Sequence, residues 1–419
     1  MKLNHTFRAF KNRNYTLFFT GQTVSQIGTW MQKTSVSWII YTMTHSTFML
    51  GLSIFASQFP SFLFSVLGGI TADRYNRHKI LLITQIASMV QASILAILVL
   101  NNHYVVWEIM VLSSVLGIIN AFDVPARQPL VHQLVTNKED LPNALALNSS
   151  MVNLAKLIGP ALSGIVLELF GAGICFLSNA ISFFAVIISL LLLKLPLQNL
   201  PTVKNKITSE FKDSVTYLKR TPAIGMILLL LSIISLLVLP YETLLPVFAK
   251  EVFKGDASTY GFIRSFIGLG AIGGSLFLAS LKPSTDLKIV LLFTTIILGL
   301  GLICFSHVHY FPVAMIFAVV FGFGTMSQTT ICITIIQIHS DVAMRGRIMG
   351  FVSMAFFGMM PLGSLLTGSI SQYIGSPNAL LCQGILAIII AIIFSGFLRK
   401  DTLNKKSILL VEVAENIVV

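Results

Sequence analysis

Five polar residues near the start of the chain, Gln22, Gln26, Thr29, Lys33 and Ser37, recur at steps of four, three, four and four. On a helix turning about 100° per residue this spacing keeps them within about 80° of one another, as a single stripe. Such a stripe is costly against hydrocarbon. An ammonium at the depth of Lys33, about ten residues from the nearer end of its apolar run, costs a few kcal/mol or more unless hydrated or paired. That distance weighs against snorkelling, so the stripe is read as the wall of a cavity. Trp30 and Trp38 in the same run are placed either to stack on an aromatic substrate or simply to pack. A second stripe, Ser149, Asn153, Lys156, Pro160 and Ser163, adds another lysine. Lys33 and Lys156 suit an anionic cargo bearing carboxylates or catecholates, and a cationic drug less well. An ammonium attracts such an anion without a fixed bidentate geometry.

The acids of the apolar runs are Glu108, Glu168 and Glu242, with Asp123 near the end of one run. Glu242 lies in LPYETLLPVF between Pro240 and Pro246, which are expected to break a helix and open backbone carbonyls to a pore. A carboxyl there is a candidate proton carrier, and Arg264 is its candidate salt-bridge partner. Glu168 reads as interfacial. The four cysteines, Cys175, Cys304, Cys332 and Cys382, lie inside apolar stretches with neither metal nor disulfide spacing, and read as packing residues. His307 and His309 share one loop without further ligand geometry. No G-x-x-x-x-G-K loop occurs, which excludes ATP-driven pumping at this level. No cofactor, no metal and no enzymatic activity are expected.

These side chains need a scaffold that brings distant parts of the chain to one lumen. The composition is 55% hydrophobic and 11% charged, against about 25% charged in a soluble domain. A bilayer accommodates that much apolar surface; a soluble core of this size does not. Twelve apolar runs, 16–43, 48–71, 80–100, 104–124, 144–170, 173–195, 222–248, 258–281, 288–306, 310–338, 347–374 and 378–398, approach the length of about 20 residues that a membrane span needs. The alternation of a membrane barrel is absent, so the spans are helices, which satisfy their own backbone in lipid. The basic start of the chain leads into a span without a cleavage pattern, and no removable signal peptide is expected.

Of 28 Lys and Arg, 23 fall on one side if the N-terminus is cytoplasmic, while the outer loops hold only Lys250 and Lys254. The positive-inside rule then places both termini in the cytoplasm. The net charge of +12 is read as a topology signal with contact to anionic headgroups, and nucleic acid is not an expected partner. The polar stretch 196–221 divides six spans from six. The expected units are 1–195, the linker 196–221, 222–398 and the tail 399–419, with ITSEFKDSVTYLKR lying as an amphipathic helix. ALNSSMVNLAKLIGPALSG and IMGFVSMAFFGMMPLGSLLTG, in the fifth and eleventh spans, share a small-residue, Pro and Ser pattern. Paired halves around a midplane site are a transporter architecture.

FTGQTVSQIGTWMQ (19–32), GGITADRYNRHKI (68–80), FDVPARQPLVHQLV (122–135), LPNALALNSS (141–150), LIGPALSG (157–164) and RGRIMGF (345–351) occur in an order that resembles the major facilitator superfamily. The resemblance is nearest to its enterobactin-exporter and macrolide-efflux branch of drug–proton antiporters. It implies an all-α membrane fold of twelve spans in two pseudo-symmetric halves. GGITADRYNRHKI is similar to the signature between the second and third spans. By that resemblance Asp73 caps or pairs with charges on the eleventh span when the pore opens outward, with Arg345 and Arg347 as candidate partners. Gly68 and Gly69 are expected to bring the second and eleventh spans close, and Arg74, Arg77 and Lys79 to hold the loop inside. GPALSG, with Gly159 and Pro160, resembles the antiporter signature of the fifth span and is the main sign of export. Pro125 and Pro129 are expected to end the fourth span, with Arg127 reaching Asp123 in an elbow of the inner gate. One departure from the family is plain: the first span carries Lys33 where many antiporters have an acid, and the fourth has no Arg within 104–124.

The resulting expectation is a monomeric, multi-pass secondary exporter of the inner membrane, proton-coupled, moving an amphipathic small molecule outward by alternating access. An anionic siderophore ranks first as cargo. Multidrug or macrolide efflux is the alternative within the class, and a non-transporting sensor or assembly factor the alternative outside it.

Overall fold

The computed structural model describes residues 7–135, 137–194, 207–282 and 284–396, which are helical and contain no strand. The first half comprises α1 (Arg13–Thr44), α2 (Thr47–Arg74), α3 (Arg77–Leu100), α4 (Val106–Leu134), α5 (Leu141–Phe170) and α6 (Ala172–Leu191). A linker helix, α7 (Ile207–Arg220), follows. The second half comprises α8 (Pro222–Val252), α9 (Ala257–Ala279), α10 (Leu287–His307), α11 (Phe311–His339), α12 and α13 (Ser376–Gly396). α12 runs as Val342–Met354, a π-helical turn Ala355–Met359, and Met360–Ile374. Residues 196–206 of the expected linker and the tail 399–419 lie outside the described residues. So do Lys2, Lys204, Lys206 and the tail's four basic residues from the topology count.

Eleven of the twelve long helices are apolar enough to cross a membrane. The exception is α1, diluted by Gln22, Gln26, Gln32 and Lys33. The least apolar span is thus the one carrying the proposed cavity stripe. Local chemistry marks the helix ends: Ser46 Oγ accepts from Met49 N–H at 3.3 Å, and Asn76 Oδ1 from Lys79 N–H at 3.2 Å. Such caps satisfy donors that a helix start leaves unpaired.

Prolines within the spans leave carbonyls without their usual donor four residues on, and an unsatisfied group in hydrocarbon costs several kcal/mol. Glycines of neighbouring helices meet three of these carbonyls. Gly68 of α2 lies on Ala121 O, freed by Pro125; Gly268 of α9 lies on Lys156 O, freed by Pro160; Gly363 of α12 lies on Leu236 O, freed by Pro240. Without a Cβ the Cα–H comes within reach of the oxygen, a contact worth about 0.5–1 kcal/mol.

Three sequence expectations are corrected here, the third in part. α4 does not end before Pro125; it continues through Pro125 and Pro129 to Leu134, because the packed neighbour compensates the freed carbonyl. Nor do Gly68 and Gly69 bring the second and eleventh spans together: Gly68 packs on α4, and nothing lies within 4 Å of a Cβ built at Gly69. The break expected at Pro240 and Pro246 is present in α8, which passes from α-helix (Pro222–Leu237) into a 3-10 segment (Leu239–Leu244) and then a π-helical turn (Phe248–Val252). The carbonyl freed by Pro240, Leu236 O, is however covered by Gly363 and does not open to a pore.

The halves meet through α2 against α12 and α5 against α9, and these two contacts correspond under the pseudo-symmetry. A Cβ at Gly164 of α5 would stand 3.2 Å from Gly261 Cα, and one at Gly368 of α12 would stand 3.2 Å from Gly51 Cα. α5 and α12 also end alike, on Gly171 (φ 80°) and Gly375 (φ 83°). Arg8 donating to Glu139 O and Asn14 Nδ2 to Lys194 O mark one end of the bundle as that of the N-terminus and the linker, the terminal end. These four glycines lie toward the opposite, far end. At the terminal end Gly69, Gly346 and Gly350 have nothing within 4 Å. The halves therefore close at the far end and part toward the terminal end, where the lumen opens.

Candidate substrate cavity

Trp30, midway along α1, is the centre of the site. Its position comes from α5: Gly159 packs on Trp30 Cβ and Ile27 O, a contact that a larger residue would forbid. Around the indole ring stand three cations. Lys33 Nζ is 4.9 Å from the ring centroid, Arg264 Cζ 5.5 Å and Lys156 Nζ 5.7 Å. They come from α1, α9 and α5, so both halves contribute. A single carboxylate answers them directly: Glu242 Oε2 lies 3.6 Å from Arg264 Nη2. Arg264 Nη1 also lies 3.3 Å from Tyr260 Oη and 3.5 Å from Thr34 Oγ1. Lys33 is solvent-exposed, whereas Lys156, Arg264 and Glu242 are partly covered. Exposure of Lys33 and the pairing of Arg264 with Glu242 lower the cost of an otherwise expensive cluster.

Three residues singled out in the sequence thus converge on one ring, Lys33, Lys156 and Arg264, and a fourth, Glu242, joins them through Arg264. Gln26, Thr29 and Ser37 are half-exposed on α1, and Asn153 is half-exposed below Lys156. Gln22 departs from the stripe: its side chain is 1% exposed and shut within the helix packing, so it does not line the lumen. The upper part of the α5 stripe is also buried. Ser163 Oγ donates to Met31 O at 3.1 Å and pairs with Ser35 Oγ at 3.0 Å, fastening α5 to α1. Gly159 and Pro160 accordingly sit at the crossing of α1, α5 and α9, in the middle of the bundle.

At the terminal end Asp73 pairs with Arg77, Oδ1 to Nη2 at 3.7 Å, and is mostly exposed. Arg345 is exposed at the start of α12. Arg127 does reach Asp123 through an ion pair one helical turn long. Asp123, 1% exposed, also accepts from Thr84 Oγ1 at 2.9 Å and Gln85 Nε2 at 2.7 Å, tying α4 to α3. Glu108 is a capping residue, its Oε2 accepting from Val105 N–H at 3.0 Å. Glu168 is exposed. The sequence reading passed over Gln32, which accepts from Asn179 Nδ2 at 2.7 Å and donates to Gln91 Oε1 at 3.2 Å inside the first half. It also passed over Tyr260 of α9. Nothing in their local spacing separates either from ordinary packing. Among the described residues no group of three His, Cys, Asp or Glu could hold a metal, and the cysteines are free.

Twelve helical spans in two pseudo-symmetric halves, enclosing a polar site at mid-depth, define a transporter of the major facilitator type. The chain belongs to the transmembrane secretion effector family, which it matches over residues 4–410. It is 25% identical to the staphyloferrin A transporter of Staphylococcus aureus, over 91% of this chain and 96% of that one. It is 25% identical to the enterobactin exporter EntS of Escherichia coli (84% and 86% covered) and 20% identical to macrolide efflux protein A of Streptococcus pyogenes (92% and 95%). In fold it is similar to a POT family transporter solved with 5-aminolevulinic acid, with a TM-score of 0.74 at 15% identity, covering 93% and 96% of the two chains. These relatives are transporters.

Proposed function

We propose that the protein exports an anionic small molecule of siderophore type across the cytoplasmic membrane by alternating access. The observation that carries this reading is the trio Lys33, Lys156 and Arg264 around Trp30, opposed by Glu242 alone. Three cations near one carboxylate form a site that favours anions, because like charges gathered beside a low-dielectric wall repel one another and attract a counter-charge. The names of two relatives, a staphyloferrin A transporter and an enterobactin exporter, point to siderophore cargo. The excess of basic residues at the terminal end supports a cytoplasmic location for both termini. The open lumen then faces the cytoplasm, ready to load. The units 1–195 and 222–398 are proposed to rock about the far-end glycine contacts, as a monomer.

Glu242 is the proposed proton carrier. In the proposed exchange cargo rides the outward stroke while Glu242 stays ionised, and a proton on Glu242 rides the return stroke, given up on the cytoplasmic side as the pair with Arg264 reforms. Asp73 with Arg345 or Arg347 is the proposed latch of the terminal end; in the present conformation that end is apart and Asp73 pairs locally. A second reading, macrolide or multidrug efflux, draws on the Streptococcus pyogenes relative. The cation trio suits a cationic macrolide poorly. Metabolite profiling of a deletion strain, medium against cytosol, tests the choice: an iron-chelating anion should accumulate inside. Loss of drug resistance with no retained anion would favour the second reading.

A further inference from the structure

We propose that Tyr260 couples the anion site to the closure of the far end, so that bound cargo loosens the seal in front of it. This rests on the reading that an anion binds at Arg264. Tyr260 is 1% exposed and touches Trp38 through its ring and Arg264 through both its hydroxyl and its ring, the Arg264 Cζ standing 5.8 Å from the ring centroid. Its ring stacks on Trp38 of α1, centroids 6.0 Å apart and planes 17° apart, across the boundary between the halves. Its hydroxyl lies 3.3 Å from Arg264 Nη1, one helical turn toward the cavity. Beyond Trp38, Lys250 Nζ of α8 stands 5.9 Å from the indole.

From cavity to far end the order is Trp30, Arg264, Tyr260, Trp38, Lys250. Trp30 and Trp38 ride on the first half; Arg264, Tyr260 and Lys250 ride on the second. Every contact in the series crosses the boundary except Arg264 to Tyr260, which lies within α9. Opening the far end must separate Arg264 from Trp30, Tyr260 from Trp38 and Lys250 from Trp38. A carboxylate makes charge-assisted bonds to a guanidinium that are stronger than those to a phenol or an indole face. An anion on Arg264 therefore draws it from Trp30 and from the Tyr260 hydroxyl, removing one cross-half contact and freeing the ring that makes the next. Tyr260 is a positioning residue: it acts through Arg264 and Trp38.

The test uses the full chain in liposomes, with Cys175, Cys304, Cys332 and Cys382 replaced by Ala and Val247→Cys as reporter. Val247 is 7% exposed and packs at the far end with Ile40 and Tyr41 of the opposite half. Citrate and 2,3-dihydroxybenzoate serve as anion probes, and an impermeant maleimide added outside reads far-end opening. Either probe should raise the thermal midpoint of the parent, and should raise reporter labelling about fivefold or more, the low end of ordinary coupling between sites. Tyr260→Phe keeps the ring and loses the hydroxyl. It should retain the thermal shift and lose the probe-dependent labelling. Tyr260→Leu, without the stack, should label fast with no probe present. If Tyr260→Phe responds like the parent, the coupling role is overturned while the anion site stands. If neither probe shifts the parent's midpoint, the anion reading itself fails and this inference falls with it.

Discussion

At the scale of the residue, Lys33 shows how a costly group can be turned to a purpose. It stands exposed, 4.9 Å from the Trp30 centroid, while its neighbours Thr34 and Ser35 on the same helix are fully buried. Lys33→Met should weaken binding of an anionic cargo by about ten- to a hundredfold, the range for losing one charge-assisted bond. A neutral hydrophobic drug should be affected little, and Lys33→Arg should be partly tolerated; isothermal titration on the purified protein measures all three. Equal loss for anionic and neutral ligands would make Lys33 structural. Glu242→Gln keeps the shape beside Arg264 and removes the negative charge. Export driven by an imposed pH gradient should disappear while anion binding remains measurable, and a parent-like response to the gradient would move the proton elsewhere or remove it.

At the scale of the element, glycines decide where spans touch. Gly164 on Gly261 and Gly368 on Gly51 are corresponding contacts in the two helix pairs that join the halves. A Val at 164 or 368 puts side-chain carbons where the partner backbone now stands, and overpacking of this kind costs about 1–3 kcal/mol. Because the contact belongs to the conformation closed at the far end, the variants should shift the population outward-open rather than unfold. The reporter at 247 should then label from outside without any anion. A lower thermal midpoint with no change in labelling would mean that the glycines serve stability alone.

For the whole molecule, closure at one end and parting at the other mean that the latch proposed for Asp73 would form only in the opposite conformation. In this conformation Asp73 is 3.7 Å from Arg77 of the same loop, and α2 and α12 stand apart at that end. Asp73→Asn should leave the protein folded and inserted but cut export severely, since the terminal end would lose its clasp in the opposite conformation. Normal export by a fully expressed Asp73→Asn variant would leave the loop with a topology role only. A paired test places cysteines at 73 and 345 in the cysteine-free background. They should cross-link only when a valine at 164 or 368 biases the chain outward, and not in the parent geometry.

The sequence by itself determined the solvent, the class and the number of spans. Twelve apolar runs of bilayer length can only be helices, since each must satisfy its own backbone in lipid. It also named Lys33, Lys156, Glu242 and Arg264, because a charge in hydrocarbon is too costly to be incidental. What it left undecided were contacts between residues far apart in the chain. Whether a proline ends a span depends on what meets the freed carbonyl, and Gly68 beneath Ala121 lets α4 run on past Pro125. Whether a glutamine faces a lumen or a neighbour depends on what packs beside it, so Gln32 is taken up by Asn179 and Gln91 and Gln22 is buried. Periodicity defines a face of a helix but not what that face meets. That the cations of α1, α5 and α9 share one indole ring was settled by the close approach of Gly159 to Trp30 and of Pro160 and Gly164 to Gly261. The first of these contacts forms within one half, and the second exists only once both halves have folded against each other.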